Sequence, residues 1–484
     1  MNCYLGLVYC GQKAHFSAVT ETSLLVKVPS QPYFLTFPGL NYEQRPANIE
    51  YFVRRAASDA LRRHDADSAF LQTVAFAATL ATGRPAAVAT SNYRPTDLIL
   101  ALLLVVIAGL RRLNKTDVLQ YNGAFLALLG LKTFPDQTTL RRFLKRLSPA
   151  MIRQIVRVHD QLRRDLFALP RPTSSLIFDI DSVVLTLYGR QQKARVGYNP
   201  RKHGRRSYHP LLCFEATRQE FWHGSLRPGD AASNSGMLAF LKYCLAKVPP
   251  TIARARIRLR ADAGYFSGKF IAAIAKEGLG YAIVAREYRG IKQHAQAARF
   301  RKLHFGWEVG EFRYTPTRWQ KPHRFVVIRR PFPEDPLEAK QLTLFTFKRY
   351  AYTVLVTNLP LEPWRVWRFY SPRATIEKNI RELLYDLPLG KIPTDDWTAN
   401  VAFFQLVLLA FNIAHWFKRL CLTPEYLHAT LETLRTDLLV VPARLTRQAG
   451  RNVLHLPQDY HQRKLFAEAL QKTNRLKVQK HKKM

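Results

Sequence analysis

Apolar positions along the chain change rhythm several times, and each rhythm predicts a different kind of element. Residues 1 to 94 show little sustained periodicity and no role is assigned to them. From Pro95 apolar residues recur at helical spacing, which predicts helices over Asp97 to Leu110, Lys115 to Tyr121, Ala124 to Leu129 and Thr138 to Leu147. The last of these carries Arg141, Arg142, Lys145 and Arg146. Residues 95–169 therefore read as a helical, DNA-binding domain, although a solvated helix face would carry the same charges. Pro170-Arg171-Pro172 punctuates the chain, and beyond it the pattern becomes that of an α/β unit over residues 173–287.

In that unit Leu176 to Leu187, Ser207 to Ala216 and Glu220 to Leu226 read as three consecutive strands. A helix (Ser233 to Ala246), a strand (Arg256 to Asp262), a helix (Gly268 to Glu277) and a strand (Gly280 to Ala285) follow. Between residues 288 and 359 the helical pattern gives way to stretches such as Arg324 to Ile328, Gln341 to Phe347 and Ala351 to Val356, which predicts a β-rich insertion. Helices return from Ser371 and over Asp396 to Leu420, so residues 360–425 close the α/β unit. Residues 426–484 read as C-terminal helices ending in a basic tail, Arg475 to Lys483. Two apolar runs, Leu98 to Leu110 and Val401 to Phe417, fall short of the roughly 18 uninterrupted apolar residues that span a bilayer, and read as core helices.

Charge narrows the class of partner. The chain has 484 residues, with 74 Lys and Arg against 35 Asp and Glu, a formal charge of +39. Spread over the whole length, such an excess points to a polyanion, nucleic acid before membrane. Five cysteines (Cys3, Cys10, Cys213, Cys244, Cys421) lack CxxC spacing, which argues for reduced thiols and against a structural zinc site. With no secretory leader pattern at the N-terminus, the expectation is a cytoplasmic protein.

Against that basic background a few acids stand out. In Leu176-Ile177-Phe178-Asp179-Ile180-Asp181-Ser182 the alternation of a strand puts Asp179 and Asp181 on one face, among apolar neighbours. Buried carboxylates need compensation, and a divalent cation supplies it. Asp262 ends a later strand, at the edge where ligands gather in open sheets. A third acid comes from a helix opening at Ser371-Pro372, with Ser371 as N-cap and Pro372 in the first turn. There Ile376, Ile380, Leu383 and Leu384 form the apolar stripe, Arg373, Glu377 and Arg381 border it, and Glu382 points away. Oxygen donors of this kind suit magnesium or manganese.

An ordered set of short motifs accompanies these acids. They are Asp-Ile-Asp-Ser at 179–182, Tyr-Gly-Arg-Gln at 188–191, Tyr-His-Pro-Leu at 208–211, Leu-Arg-Pro-Gly-Asp at 226–230 and Arg-Ala-Asp-Ala-Gly-Tyr at 260–265, closed by Tyr370-x-x-Arg373-x-x-x-Glu377. In this the chain resembles the DDE transposases of bacterial insertion sequences over about residues 95 to 445. The resemblance implies a ribonuclease H-like mixed sheet flanked by helices, with a β-rich insertion and an N-terminal helical domain. It implies that Asp181, Asp262 and Glu377 hold two Mg2+ or Mn2+ ions, Asp181 being preferred to Asp179 because Ser182 follows it. Tyr370, Arg373, Lys378 and Arg381 would contact DNA, and Trp307 or Trp319 could stack on a displaced base. The implied reaction is metal-dependent cleavage of insertion-sequence ends and strand transfer into target DNA, by a dimer or larger multimer on double-stranded DNA in a bacterial nucleoid. A metal-dependent endonuclease or junction resolvase, and a non-catalytic domesticated DNA-binding protein, are the alternatives. One departure is plain: the Lys that usually follows the Glu by seven residues is Leu384 here.

Overall fold

A computed structural model of the chain describes residues 93–475, apart from 124–125, 127–131, 168–172, 332–345, 348–349, 440, 442 and 449–450. The expected tail beyond Arg475, the Pro170-Arg171-Pro172 linker, most of the Ala124 to Leu129 helix and most of the Gln341 to Phe347 stretch lie outside the described residues.

A large mixed sheet organises the described residues. Strand β1 (Leu176–Ser182) is followed by three short strands, β2 (Leu185–Thr186), β3 (Arg195–Val196) and β4 (Arg206–Tyr208), which form a small sheet of their own in the order β2-β4-β3. Next come β5 (Leu211–Glu215), β6 (Glu220–Ser225), β7 (Ile257–Ala261) and β8 (Gly280–Val284). In the large sheet these lie in the order β6-β5-β1-β7-β8, with β5 antiparallel to β1 and with β7 and β8 parallel to it. The strands β9 (Phe300–Lys302), β10 (Glu308–Tyr314), β11 (His323–Pro331), β12 (Thr346–Phe347) and β13 (Tyr350–Thr357) continue the same sheet, because β13 pairs antiparallel with β8. The region expected as an insertion thus adds its strands to the main sheet's far side. It also contains a helix, α6 (Arg289–Ala297), where the sequence suggested none; only Ile291 and Ala295 are buried on it, one turn apart, too brief a periodic signal to register.

Helices cover both faces. On one, α4 (Met237–Ala246) and α5 (Gly268–Lys276) pack on Leu176, Phe178, Ile180, Leu211 and Cys213. On the other lie α7 (Pro363–Tyr370), α8 (Ala374–Tyr385) and α9 (Trp397–Cys421). The helices expected as a separate domain, α1 (Pro95–Ile107), α2 (Gln137–Arg146) and α3 (Pro149–Phe167), share one apolar core with α9 and this face of the sheet. Burial of Leu98 to Ile107 nearly all round α1 explains why they form a layer of the same body.

The long α9 is the core helix that Val401 to Phe417 suggested. Its polar residues have work inside: Asn412 accepts from the N–H of Phe221 at 2.8 Å and donates to its carbonyl at 2.9 Å, while Gln405 donates to Gly224 O at 2.9 Å. Edge strand β6 is thereby capped by side-chain amides that stand in for a neighbouring strand.

Candidate active site

Alternation along β1 sends Phe178 and Ile180 into the α4/α5 core and Asp179 and Asp181 to the opposite face. In the parallel pairing with β7, Ile180 is in register with Ala261, so the next residues, Asp181 and Asp262, leave the sheet side by side at its C-terminal edge. Asp262 then caps the turn Ala263–Tyr265, its Oδ1 accepting from Gly264 N at 2.8 Å. That leaves Oδ2 directed at the site.

The third acid arrives on a helical path that differs from expectation at its start. Ser371 is not an N-cap: α7 already runs to Tyr370, a 3₁₀ turn over Ser371–Arg373 follows, and α8 begins at Ala374. Pro372 lacks the N–H that would continue the i to i−4 ladder, so the chain tightens for one turn and then resumes. Ile376, Ile380 and Leu383 are buried as the spacing required, and Leu384 packs at the margin of the same core. Glu382 does point elsewhere: it accepts from Leu431 N at 2.7 Å and meets His415 at 3.3 Å.

The 3₁₀ turn buries Arg373, which is only 5% exposed, and its guanidinium is the point at which all three acids meet. Nη2 lies 2.9 Å from Asp181 Oδ2 and 3.8 Å from Asp262 Oδ2, and Nη1 lies 3.0 Å from Glu377 Oε1. Asp181 is nearly enclosed, whereas Glu377 stands at the solvent rim with its side chain 62% exposed. Three carboxylates against one guanidinium leave an excess of two negative charges when all are ionised. Burial accordingly pushes the Asp181 carboxyl up to about 7; Arg373 pulls it down, while Asp262 and Glu377 push it further up. Burial works against the charged form of Arg373 too, but its three carboxylate neighbours outweigh that and hold it above its ordinary value. Burial also raises the Tyr370 phenol.

Asp179, the neighbour that sequence left in contention, has a different occupation. Fully buried, it takes both donors of Arg260, at 2.6 and 2.7 Å, and Arg260 donates onward to Phe369 O at 2.8 Å. This ties β1 and β7 to the end of α7 and so sets where the Arg373 turn begins. Burial raises the Asp179 carboxyl despite that partner.

Residues that sequence reasoning passed over complete the surroundings. His209 Nδ1 bonds Ala231 O at 2.7 Å, so it carries the hydrogen, and Nε2 at 3.0 Å is left to accept from Ser182 Oγ. Burial lowers its pKa, which keeps the ring neutral. Arg227 donates to His209 O at 2.9 Å and to Ser235 O at 2.7 Å, fastening the loop beside Asp262. Both residues sit in motifs quoted from the sequence, Tyr-His-Pro-Leu and Leu-Arg-Pro-Gly-Asp. The signal was present, but the pairing of these loops through His209 N and Arg227 O was not foreseeable from spacing.

Of the residues expected to contact DNA, Lys378 and Arg381 are exposed on α8, Tyr370 is half-buried, and Arg373 is enclosed among the acids. Trp307 packs 5.7 Å from Trp367, and Trp319 5.0 Å from Phe266. Among the described residues no three acids, histidines or cysteines close into a ligand cage unaided. The donor chemistry nevertheless suits a hard divalent cation: each of three carboxylates turns an oxygen toward one point, and their charge exceeds that of the guanidinium.

Residues 61–478 match the family described as Transposase DDE domain group 1. No curated protein matches the chain. Among solved structures it is similar to the piggyBac transposase synaptic complex with hairpin DNA, seen by cryo-electron microscopy, with 11% identity and a TM-score of 0.39, over 80% of this chain and 81% of that one.

Proposed function

Because the chain belongs to the DDE transposase domain family, group 1, we propose that it cuts the ends of a mobile DNA element in a metal-dependent reaction and joins them to target DNA. The observation that carries this is the meeting of Asp181, Asp262 and Glu377 at Arg373 from two strand ends and a helix. The strand order β6-β5-β1-β7-β8, with β5 antiparallel, supports a ribonuclease H-like core beneath it.

Asp181 and Asp262 would hold one Mg2+ or Mn2+ ion between them and Glu377 would join in holding a second. Such ions activate the attacking oxygen and stabilise the departing one. The chain's own residues do the positioning: Asp179 and Arg260 fix the turn that carries Arg373, and His209 holds Ser182 beside Asp181. Lys378 and Arg381, exposed next to Glu377, offer phosphate contacts. A dimer or larger multimer on double-stranded DNA, associated with a bacterial nucleoid, would bring two ends to one target.

The test is strand joining. Labelled duplexes carrying the sequences that flank the gene are incubated with a supercoiled plasmid, Mg2+ and the full-length protein. Covalent transfer of the label to plasmid is expected. Cleavage without transfer would assign the chain to the metal-dependent endonucleases, and binding without cleavage would make it a DNA-binding protein.

A further inference from the structure

Immediately after Asp181 and Ser182 the chain leaves the large sheet, runs out and back through β2, β3 and β4, and returns at β5. Between Val183 and Tyr208 it carries seven Lys and Arg residues and no Asp or Glu. A face that served solubility alone would mix the two signs. Here the basic residues are exposed, and so are two aromatic rings: Tyr188 is 74% exposed and Tyr198 73%. Both rings lie on the same ribbon, interleaved with its Lys and Arg residues. Arg205 lies 5.8 Å over the Tyr188 ring, so cation and ring are presented together.

The ribbon is held stiffly. A Cβ on Gly197 would come within 2.0 Å of Gly229 O, and one on Gly229 within 2.3 Å of Arg195 O and Ser207 O, so backbone packs on backbone at its root. Asn199 donates to Thr186 Oγ1 at 3.0 Å, and Tyr208 OH to Gln192 O at 2.6 Å. At its base, Gln191 lines a cleft of about 350 Å³ whose other wall is Arg141, Arg142 and Lys145 of α2. Basic side chains of α2 therefore stand across this cleft from the ribbon's base.

Building on the transposase reading, we propose that residues 183–208 form an arm that grips the DNA strand entering the carboxylate site, contacting phosphates through its Lys and Arg residues and stacking unpaired bases on Tyr188 and Tyr198. The occupant is DNA with locally unpaired nucleotides, because exposed rings on a cationic ribbon bind bases only where those have left the duplex stack. Joined covalently to the end of β1, the arm delivers that strand beside Asp181. Its returning segment carries His209, which holds Ser182.

The test uses the full-length protein and two probes, a fluorescein-labelled duplex and the same duplex with a short internal run of unpaired thymidines, compared by anisotropy without divalent metal. Wild-type protein should prefer the second by about tenfold, as stacking of this kind gives. Tyr188→Ala with Tyr198→Ala should erase the preference and keep duplex affinity, while the paired Phe substitutions should restore it. Arg201→Gln with Lys202→Gln and Arg205→Gln should weaken both probes and lower the log–log salt slope by about 2 to 3. A 2-aminopurine in the unpaired run reports stacking on the wild-type protein directly, by quenching. The arm is overturned if wild-type protein binds both probes alike, if the tyrosine pair leaves the preference intact, or if the salt slope does not change. In any of those cases strand joining by the wild-type protein would still uphold the transposase reading. No binding to either probe would overturn both.

Discussion

The acid that matters most at the scale of single residues is Asp181, because folding raises its carboxyl from an ordinary 3.8 to about 7. Glu215, fully buried behind β1, is raised from 4.5 to about 7. In both cases the folded chain keeps a proton that the unfolded chain has lost. Their contribution to stability is complete below about pH 4 and disappears as pH rises through about 7. Asp181→Asn should therefore gain melting temperature relative to wild type, in metal-free buffer, between about pH 5 and about pH 8; a constant difference would mean that Asp181 is ionised throughout. The same protonation makes cation binding at about pH 6 release a proton, measurable by calorimetry in two buffers of different ionisation enthalpy. His209 acts one step back. His209→Ala should weaken Mn2+ binding by about tenfold through Ser182 and Asp181, with the fold intact by circular dichroism. At this scale the sequence disclosed the acids but not their arbiter. The i, i+4 spacing of Arg373 and Glu377 reads as an ordinary helix pair, and only the fold brings Asp181 and Asp262 to the same guanidinium. Arg373→Gln should cost about 3 to 5 kcal/mol in metal-free protein, as removing one member of a buried ion cluster does. Added Mg2+ should recover much of that loss by taking over as the counter-charge.

Among the elements, α9 shows how a helix can finish a sheet. Asn412 serves both backbone groups of Phe221 and also meets His159 at 2.7 Å, all in the core. Asn412→Leu keeps the branched shape and removes those bonds, leaving a buried N–H and C=O unpaired. Urea unfolding should show a loss of about 2 to 5 kcal/mol; a loss below about 1 kcal/mol would show that β6 does not depend on α9 for its edge. Periodicity disclosed α9 because its apolar run is long, and β1 and β7 because apolar residues alternate along them. It could not disclose that polar positions on α9 face a strand edge, since a buried Asn and an exposed one look alike in sequence. Likewise Ser371-Pro372 carries the chemistry of a helix start, yet α7 precedes it, and the true signal was the apolar set of Trp364, Val366 and Trp367 packing under the sheet.

For the whole molecule, +39 is the property that composition states most loudly. The fold gives it direction, by running the acid-free ribbon straight on from β1 and setting the basic side of α2 across a cleft from the ribbon's Gln191. Binding to duplex DNA should fall steeply with salt, by about 0.9 log units per phosphate contact for each log unit of salt. A slope equivalent to fewer than about three contacts would contradict a broad interface. The most direct measurement is Mg2+-dependent nicking of end-bearing DNA by wild-type protein and by Asp181→Asn, Asp262→Asn and Glu377→Gln. Each variant should bind DNA within about twofold of wild type, since phosphate contacts rather than these acids hold the DNA, and each should lose about a thousandfold or more of the nicking rate, as expected when the groups holding the ions are removed. Nicking at the wild-type rate by any one of the three would contradict the account, because that acid would then be no part of the cutting site.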